Sequence, residues 1–218
     1  MDNKLIRNYF ESGDISLINT ALKTYPEIKD KYIKFGFANQ HTVHPLHFAC
    51  DCVFENKIDE STALEIIKLY IAAGCDINGN AKNLKDTPLI AAISLYCDQA
   101  AKILIDNNAN LSHRGTHGGT ALHWAAWTGA LSITEILIAK DVNLELKDND
   151  FGATPIHWAI NGILHFGEKQ RDQKRIIETL LEAGANPEIV DKSNKTPYEI
   201  AENAALSDIS GLIKKYLK

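Results

Sequence analysis

The chain has 218 residues and a formal net charge of −5, with 45% hydrophobic and 23% charged residues. These proportions are ordinary for a folded chain, and the acidic balance argues against nucleic-acid binding, which requires a basic patch. Four cysteines do not make a disulfide framework at this length, and no apolar run approaches a transmembrane helix. We therefore expect a cytoplasmic protein without a signal peptide or transmembrane segment, which binds neither nucleic acid nor membrane.

The N-terminal stretch, residues 1–37, is expected to form a pair of short helices. Ile6 and Phe10 belong to a first apolar stripe, Gly13 interrupts it, and a second stripe begins at Ile15. Because no repeat motif comes before this pair in the sequence, we interpret it as an N-terminal cap for the units that follow.

A turn-to-helix junction then recurs five times. Each copy has a hydroxyl or imidazole residue at the position of a helix cap, usually with proline at the first helical position. Recurrence at a near-fixed period indicates a repeat architecture. The copies are His44-Pro-Leu-His-Phe-Ala-Cys50, Thr87-Pro-Leu-Ile-Ala-Ala92, Thr120-Ala-Leu-His-Trp-Ala-Ala126, Thr154-Pro-Ile-His-Trp-Ala159 and Thr196-Pro-Tyr-Glu-Ile-Ala201.

A second recurring signal lies where the second helix of a repeat should end. An apolar pair is followed there by Gly74, Asn107 or Gly184, each able to adopt the left-handed conformation that closes a helix. The combination of Thr-Pro-Leu-His-x-Ala with a later Leu-x-x-x-Gly-Ala-Asn resembles the ankyrin repeat, and the resemblance covers nearly the whole chain.

This resemblance implies an all-α solenoid of stacked helix–turn–helix units with projecting hairpin fingers, about six units including caps. We expect an N-terminal capping helix pair at 1–37 and a C-terminal capping repeat at 191–218. The ankyrin repeats between them are expected at 38–80, 81–113, 114–147 and 148–190.

Two of these repeats are longer than the others. Thr87 and Thr120 are 33 residues apart, whereas Thr154 and Thr196 are 42 apart. The surplus places nine-residue insertions between the two helices of repeats 38–80 and 148–190. Insertions in solenoids often form functional loops, but these could equally just lengthen helices or loops.

Histidine recurs inside the junctions as His47, His123 and His157. Because it recurs at one structural position, we predict that it bonds the backbone of the adjacent finger and does not act in catalysis. Ile90 and Glu199 replace it in two copies, where we expect the junction to be weakened.

The segment from His41 to Cys52 holds three histidines and two cysteines, which are suitable zinc ligands. His44, His47 and Cys50 occupy three different repeat positions, however, so their side chains should point in different directions. We therefore predict no metal site, no cofactor and no catalytic residue. A metal-dependent enzyme using this cluster remains an alternative.

Ankyrin repeats bind proteins on a concave face formed by the fingers and first helices, so the resemblance implies a protein–protein interaction module. Trp124 and Trp158 occupy a scaffold position, whereas Trp127 does not and is our expected anchor. Alternatively, Trp127 lies flat on its own finger or on Leu95. The candidate partner-binding residues are Trp127, Phe151, Asp150, His117, Leu95, Leu84, Asp86, Asp51 and His41.

The function expected from the sequence is non-catalytic binding of one protein partner by a chain that is a monomer when free. A more specific alternative is an inhibitor or immunity-type protein that blocks an enzyme with the same face or with the two insertions. The acidic balance would suit a basic partner, although a charge of −5 makes a weak field.

Overall fold

A computed structural model of the chain describes residues 1–35, 41–79, 86–167 and 171–217. It divides into two compact halves, Met1–Asn110 and Leu111–Lys218. The helices of the described residues come in successive pairs: α1 (Asn3–Ser12), α2 (Ile15–Thr24), α3 (Pro45–Phe54), α4 (Glu60–Ala72), α5 (Pro88–Ser94), α6 (Asp98–Asp106), α7 (Ala121–Thr128), α8 (Leu131–Ala139), α9 (Pro155–Phe166), α10 (Gln173–Glu182), α11 (Pro197–Asn203) and α12 (Ser207–Lys214).

The predicted N-terminal helix pair is present as α1 and α2. Gly13 adopts a left-handed φ of 64° and ends α1, as its sequence position suggested. The apolar stripe of α1 is buried against the next pair, where the Phe10 ring lies 5.5 Å from Phe48 of α3 and 5.3 Å from Tyr70 of α4. These ring contacts fix the first pair on the second.

Two short β-strands precede α3, in the stretch where the first hairpin finger was expected. Strand β1 (Ile33–Phe35) pairs antiparallel with β2 (His41–Val43), with Ile33 opposite Val43. Both of these side chains are buried. Two strands of three residues each leave the all-α class unchanged.

The junctions begin helices as predicted. The N-cap side chains of His44 and Thr87 accept hydrogen bonds from Leu46 N and Ile90 N. In the last repeat, Glu199 does not weaken the junction as we expected, because its Oε2 accepts the Thr196 backbone N–H at 2.9 Å and completes a capping box. A carboxylate at this position therefore replaces the imidazole as acceptor.

Gly74 and Gly184 adopt the left-handed conformation predicted for residues that close a helix, with φ of 74° and 92°. The prediction was wrong for Asn107, whose φ is −101°. Asn108 takes the left-handed conformation instead, with φ of 64°. Both α4 and α6 are followed by one cap residue and then by the left-handed residue, and Asn tolerates that conformation better than most.

The described parts of both insertions lengthen helices, which is one of the two outcomes expected from the sequence. Helix α9 has 12 residues, whereas the corresponding α7 has 8. In the second repeat, α3 and α4 have 10 and 13 residues, against 7 and 9 in α5 and α6. Residues 168–170 of the later insertion lie outside the described part. None of the described helices is both long enough and apolar enough to span a bilayer.

Candidate functional site

An open groove of about 620 Å³ lies in the half Leu111–Lys218, and we call it the aromatic groove. It is bordered by two fingers, by α7 and by α9. Its described lining is mostly aromatic and consists of His117, Trp124, Trp127, Phe151, Ala153, Trp158, Asn161, Leu164 and His165.

The floor of the aromatic groove is Trp158, which is 6% exposed. Its ring centroid lies 5.3 Å from that of Trp124 and 6.2 Å from that of Trp127, and both rings are inclined to it by 74°. Gly119 permits this packing, because a Cβ there would lie 2.9 Å from the Trp158 ring. The burial of Trp158 confirms its scaffold role, whereas Trp124 is only half-buried and contributes to the groove.

Asp148 connects Trp158, on the floor of the groove, to the backbone of the adjacent finger through hydrogen bonds. Its buried carboxylate accepts the Trp158 indole N–H at 2.7 Å, together with the backbone N–H groups of Phe151, Gly152 and Ala153 at 2.6 to 3.3 Å. Asp148 was not among the residues predicted from the sequence. An Asp at the start of a turn that contains glycine is the signal that could have indicated it.

His117 and Phe151 form one rim of the groove, with ring centroids 5.7 Å apart. His117 Nδ1 lies 2.7 Å from the Asp150 carboxylate, and the His117 carbonyl accepts the backbone N–H of Asn149 and Asp150. Phe151 is 55% exposed. Three predicted partner-binding residues of two different fingers are therefore neighbours in space.

Trp127 forms the opposite wall and packs on the last turn of α9. Its ring centroid lies 5.0 Å from that of His165 and 5.7 Å from that of Phe166. The described ring contacts of Trp127 are thus with Trp158 and with the inserted turn, and not with its own finger. The sequence indicated the insertion that contains Leu164, His165 and Phe166 as a possible functional segment. It did not assign these residues to the site, because spacing alone does not show whether the insertion continues the helix.

The backbone carbonyl group of Trp127 contacts both α10 and α9. Its oxygen accepts the Gln173 side-chain N–H at 3.0 Å, and α9 approaches it closely at Gly162. A Cβ on Gly162 would lie 2.5 Å from the Trp127 carbonyl oxygen. The glycine is therefore required by the close approach of α7 and α9.

A Gly162→Ala substitution is expected to destabilise the protein by about 1–3 kcal/mol, because the added methyl group must displace a backbone atom. Gly211→Ala is the matched control, since Gly211 is also helical and has open space around its Cβ position. We expect the control to stabilise by about 0.5–1 kcal/mol. Chemical denaturation followed by circular dichroism measures both, and equal effects would contradict the close contact.

The remaining predicted partner-binding residues lie in the half Met1–Asn110. Asp51 was predicted at an exposed helix end, but it is 8% exposed and its Oδ2 lies 3.6 Å from His47 Nε2. The prediction of exposure was wrong, because α3 does not end at Asp51 but continues to Phe54, and Asp51 lies buried beside His47 of the preceding turn. Leu95 is partly exposed at the end of α5, and Asp86 directly precedes Thr87. Leu84 and the His41 side chain lie outside the described residues.

The junction histidines make the predicted finger contacts in two repeats. His123 Nε2 lies 3.2 Å from the Ala153 carbonyl oxygen, and His157 Nε2 lies 3.2 Å from that of Lys195. In each case Nδ1 accepts the backbone N–H of the capping threonine. His47 differs, because His44 replaces the threonine and Nε2 faces Asp51.

The described side chains of the segment from His41 to Cys52, which holds possible zinc ligands, bond different groups and do not converge on one point. His44 contacts Asp30 and Leu46, whereas the Cys50 thiol lies 3.8 Å from the Leu46 carbonyl oxygen. Within the described residues, no three potential ligand side chains converge as a metal site requires. All four cysteines are free.

The chain is similar in sequence to known ankyrin repeat families and proteins. The family model for ankyrin repeats in three copies matches residues 46–148, and the single ankyrin repeat model matches residues 151–192. The putative ankyrin repeat protein YahD of Escherichia coli is 31% identical over 164 residues, which cover 70% of this chain and 78% of that protein.

The chain is also similar to two palmitoyltransferases, but it spans less than a fifth of the length of each. AKR1 of Lachancea kluyveri is 32% identical over 112 residues, which cover 48% of this chain and 14% of AKR1. ZDHHC13 of Mus musculus is 26% identical over 141 residues, covering 64% of this chain and 19% of ZDHHC13. Together with the paired helices, capped junctions and fingers, these matches establish that the chain belongs to the ankyrin repeat family.

Proposed function

We propose that the aromatic groove binds a segment of a protein partner, with Trp127 as the anchor. The observation that carries this proposal is the open groove over Trp158, which is lined by the half-buried rings of Trp124 and Trp127 and by the exposed ring of Phe151. Aromatic residues in such patches are enriched among binding hot spots. Ankyrin repeats act as protein-interaction modules, and this groove lies on the side formed by fingers and first helices.

We propose further that the chain performs no catalysis. The buried His123 and His157 have both ring nitrogens engaged with the backbone or a capping threonine, so neither is available as a base. His117 is paired with Asp150 on the groove rim, without a hydroxyl or thiol nucleophile in the described lining. The matches to AKR1 and ZDHHC13 cover only small parts of those proteins, and we carry no acyl-transfer activity over to this chain.

Removing the anchor should abolish partner capture without unfolding the chain. We expect Trp127→Ala to lose about 2 kcal/mol or more of binding free energy, as hot-spot tryptophans do. Partners captured from a lysate by wild-type protein would be identified by mass spectrometry, and their affinities for both proteins measured by calorimetry.

A matched pair of phenylalanines provides the control for this experiment. Phe151 on the groove rim is 55% exposed, and Phe54 at the end of α3 is 58% exposed. Phe151→Ala should weaken capture, whereas Phe54→Ala should leave it unchanged. Unaltered capture by the Trp127→Ala and Phe151→Ala variants would show that the partner binds elsewhere.

A further inference from the structure

We propose that the aromatic groove receives a positively charged side chain, a lysine or an arginine, carried by the partner protein. This inference rests on the proposed function, because it assigns the chemistry of the side chain that the groove binds. Three features support it: the inclined tryptophan rings, two carboxylates bonded to the rings of the lining, and the charges of the described lining.

Two tryptophan rings stand at steep angles to the Trp158 ring on the floor of the groove. Trp124 and Trp127 are both inclined by 74° to Trp158, at centroid distances of 5.3 and 6.2 Å. A cation within about 6 Å of an indole centroid is attracted to the negative face of the ring, and tryptophan is the strongest such acceptor. A side chain inserted between these rings comes within that distance of an indole.

Asp148 places a negative charge directly beside the floor. Its Oδ2 accepts the Trp158 indole N–H at 2.7 Å, and its other described partners are uncharged backbone N–H groups. The hydrogen bond to a carboxylate polarises the indole and increases the electron density of its ring. Since Asp148 is only 4% exposed, water screens its charge poorly.

Asp150 adds a second carboxylate at the rim, bonded to His117 and 54% exposed at its side chain. The ammonium group of nearby Lys192 bonds the backbone carbonyl oxygens of Asn149 and Asp150 and not the carboxylate. Of the residues that the structure describes, those lining the groove include no lysine or arginine. The carboxylates therefore favour a cationic occupant over a neutral apolar one of similar size.

Choline and 3,3-dimethylbutan-1-ol test this inference, because the second molecule replaces the quaternary nitrogen of choline by carbon and is otherwise nearly the same shape. Each would be titrated into the full chain at constant ionic strength, and the indole N–H chemical shifts followed by NMR. We expect choline to bind at least about three times more tightly than the neutral alcohol. Equal binding, or binding of neither probe, would overturn the inference.

Two aspartate variants test whether the Asp150 carboxylate is responsible for the preference for choline. Asp150→Asn should lower the affinity for choline about twofold or more while leaving the neutral alcohol unaffected. Asp141→Asn removes the same charge from an exposed position after α8 and should change neither affinity. A weaker choline preference in both variants, or an unchanged preference in both, would contradict a role for the rim carboxylate.

The two proposals fail separately. If Trp127→Ala abolishes partner capture but the wild-type groove shows no preference for choline, the groove binds protein through neutral groups and the cation assignment is wrong. If choline is preferred but partner capture survives Trp127→Ala, the proposed protein-binding role is wrong.

Discussion

Trp158→Ala is expected to lower the free energy of unfolding by about 3–5 kcal/mol, the usual cost of truncating a buried tryptophan. Trp158 is 6% exposed and packs against His123, Trp124 and Trp127. Its removal also leaves the buried Asp148 Oδ2 without the indole donor. Urea denaturation followed by far-ultraviolet circular dichroism measures the loss without depending on tryptophan fluorescence.

Trp124→Ala is the control for this substitution. Trp124 occupies the equivalent position in the preceding repeat, and the sequence alone assigns both residues to the scaffold. Because Trp124 is only half-buried, we expect its truncation to cost clearly less than that of Trp158. Equal losses would mean that both rings are buried alike, and a loss below about 1 kcal/mol for Trp158→Ala would contradict its place as the floor.

Acidification is expected to destabilise the protein through His123. Burial lowers the pKa of His123 from 6.5 to about 4, so between these values the unfolded chain binds a proton that the folded chain does not. The stability contributed by the neutral imidazole is therefore present above pH 6.5 and lost as the pH falls toward 4. From the two pKa values, the loss between pH 7 and pH 5 is about 2 kcal/mol.

A His123→Gln variant isolates this contribution. Its denaturation free energy at pH 7 and pH 5 should differ by about 2 kcal/mol less than that of wild type. If His123→Gln retained the full acid sensitivity, protonation of other groups would be responsible.

Two groups in the other half act in opposite directions and should largely cancel. Burial lowers the pKa of His47 to about 4, whereas burial raises the pKa of Asp51 to about 7. The folded state therefore loses stability through His47 and gains it through Asp51 as the pH falls from 7. Burial also lowers the pKa of His157, so it adds to the effect of His123.

The sequence alone determined the repeat architecture, because capping and helix closure depend on residues close together in the chain. Thr154 with His157, and Gly184 after α10, could be recognised from local spacing. The one-residue error at Asn107 has the same origin: both Asn107 and Asn108 suit the left-handed conformation, and only the helix end decides between them.

The tertiary structure decided which side chains form the candidate site. Trp127, Phe151 and His117 could be selected from their repeat positions, but not the contacts of Trp127 with His165 and Phe166. Those contacts depend on the insertion continuing α9 by one more turn, and a loop of the same composition would have placed the residues elsewhere.

The burial of Asp148 and Asp51 also could not be predicted from the sequence. Both are short carboxylates near a finger or helix end, positions where sequence favours exposure. Asp148 is buried where four N–H donors of the finger and of Trp158 converge on it, and Asp51 is buried beside His47 inside a helix that continues past it. Local spacing thus determined the scaffold, whereas burial and the groove depend on contacts between residues distant in sequence, which only the folded chain brings together.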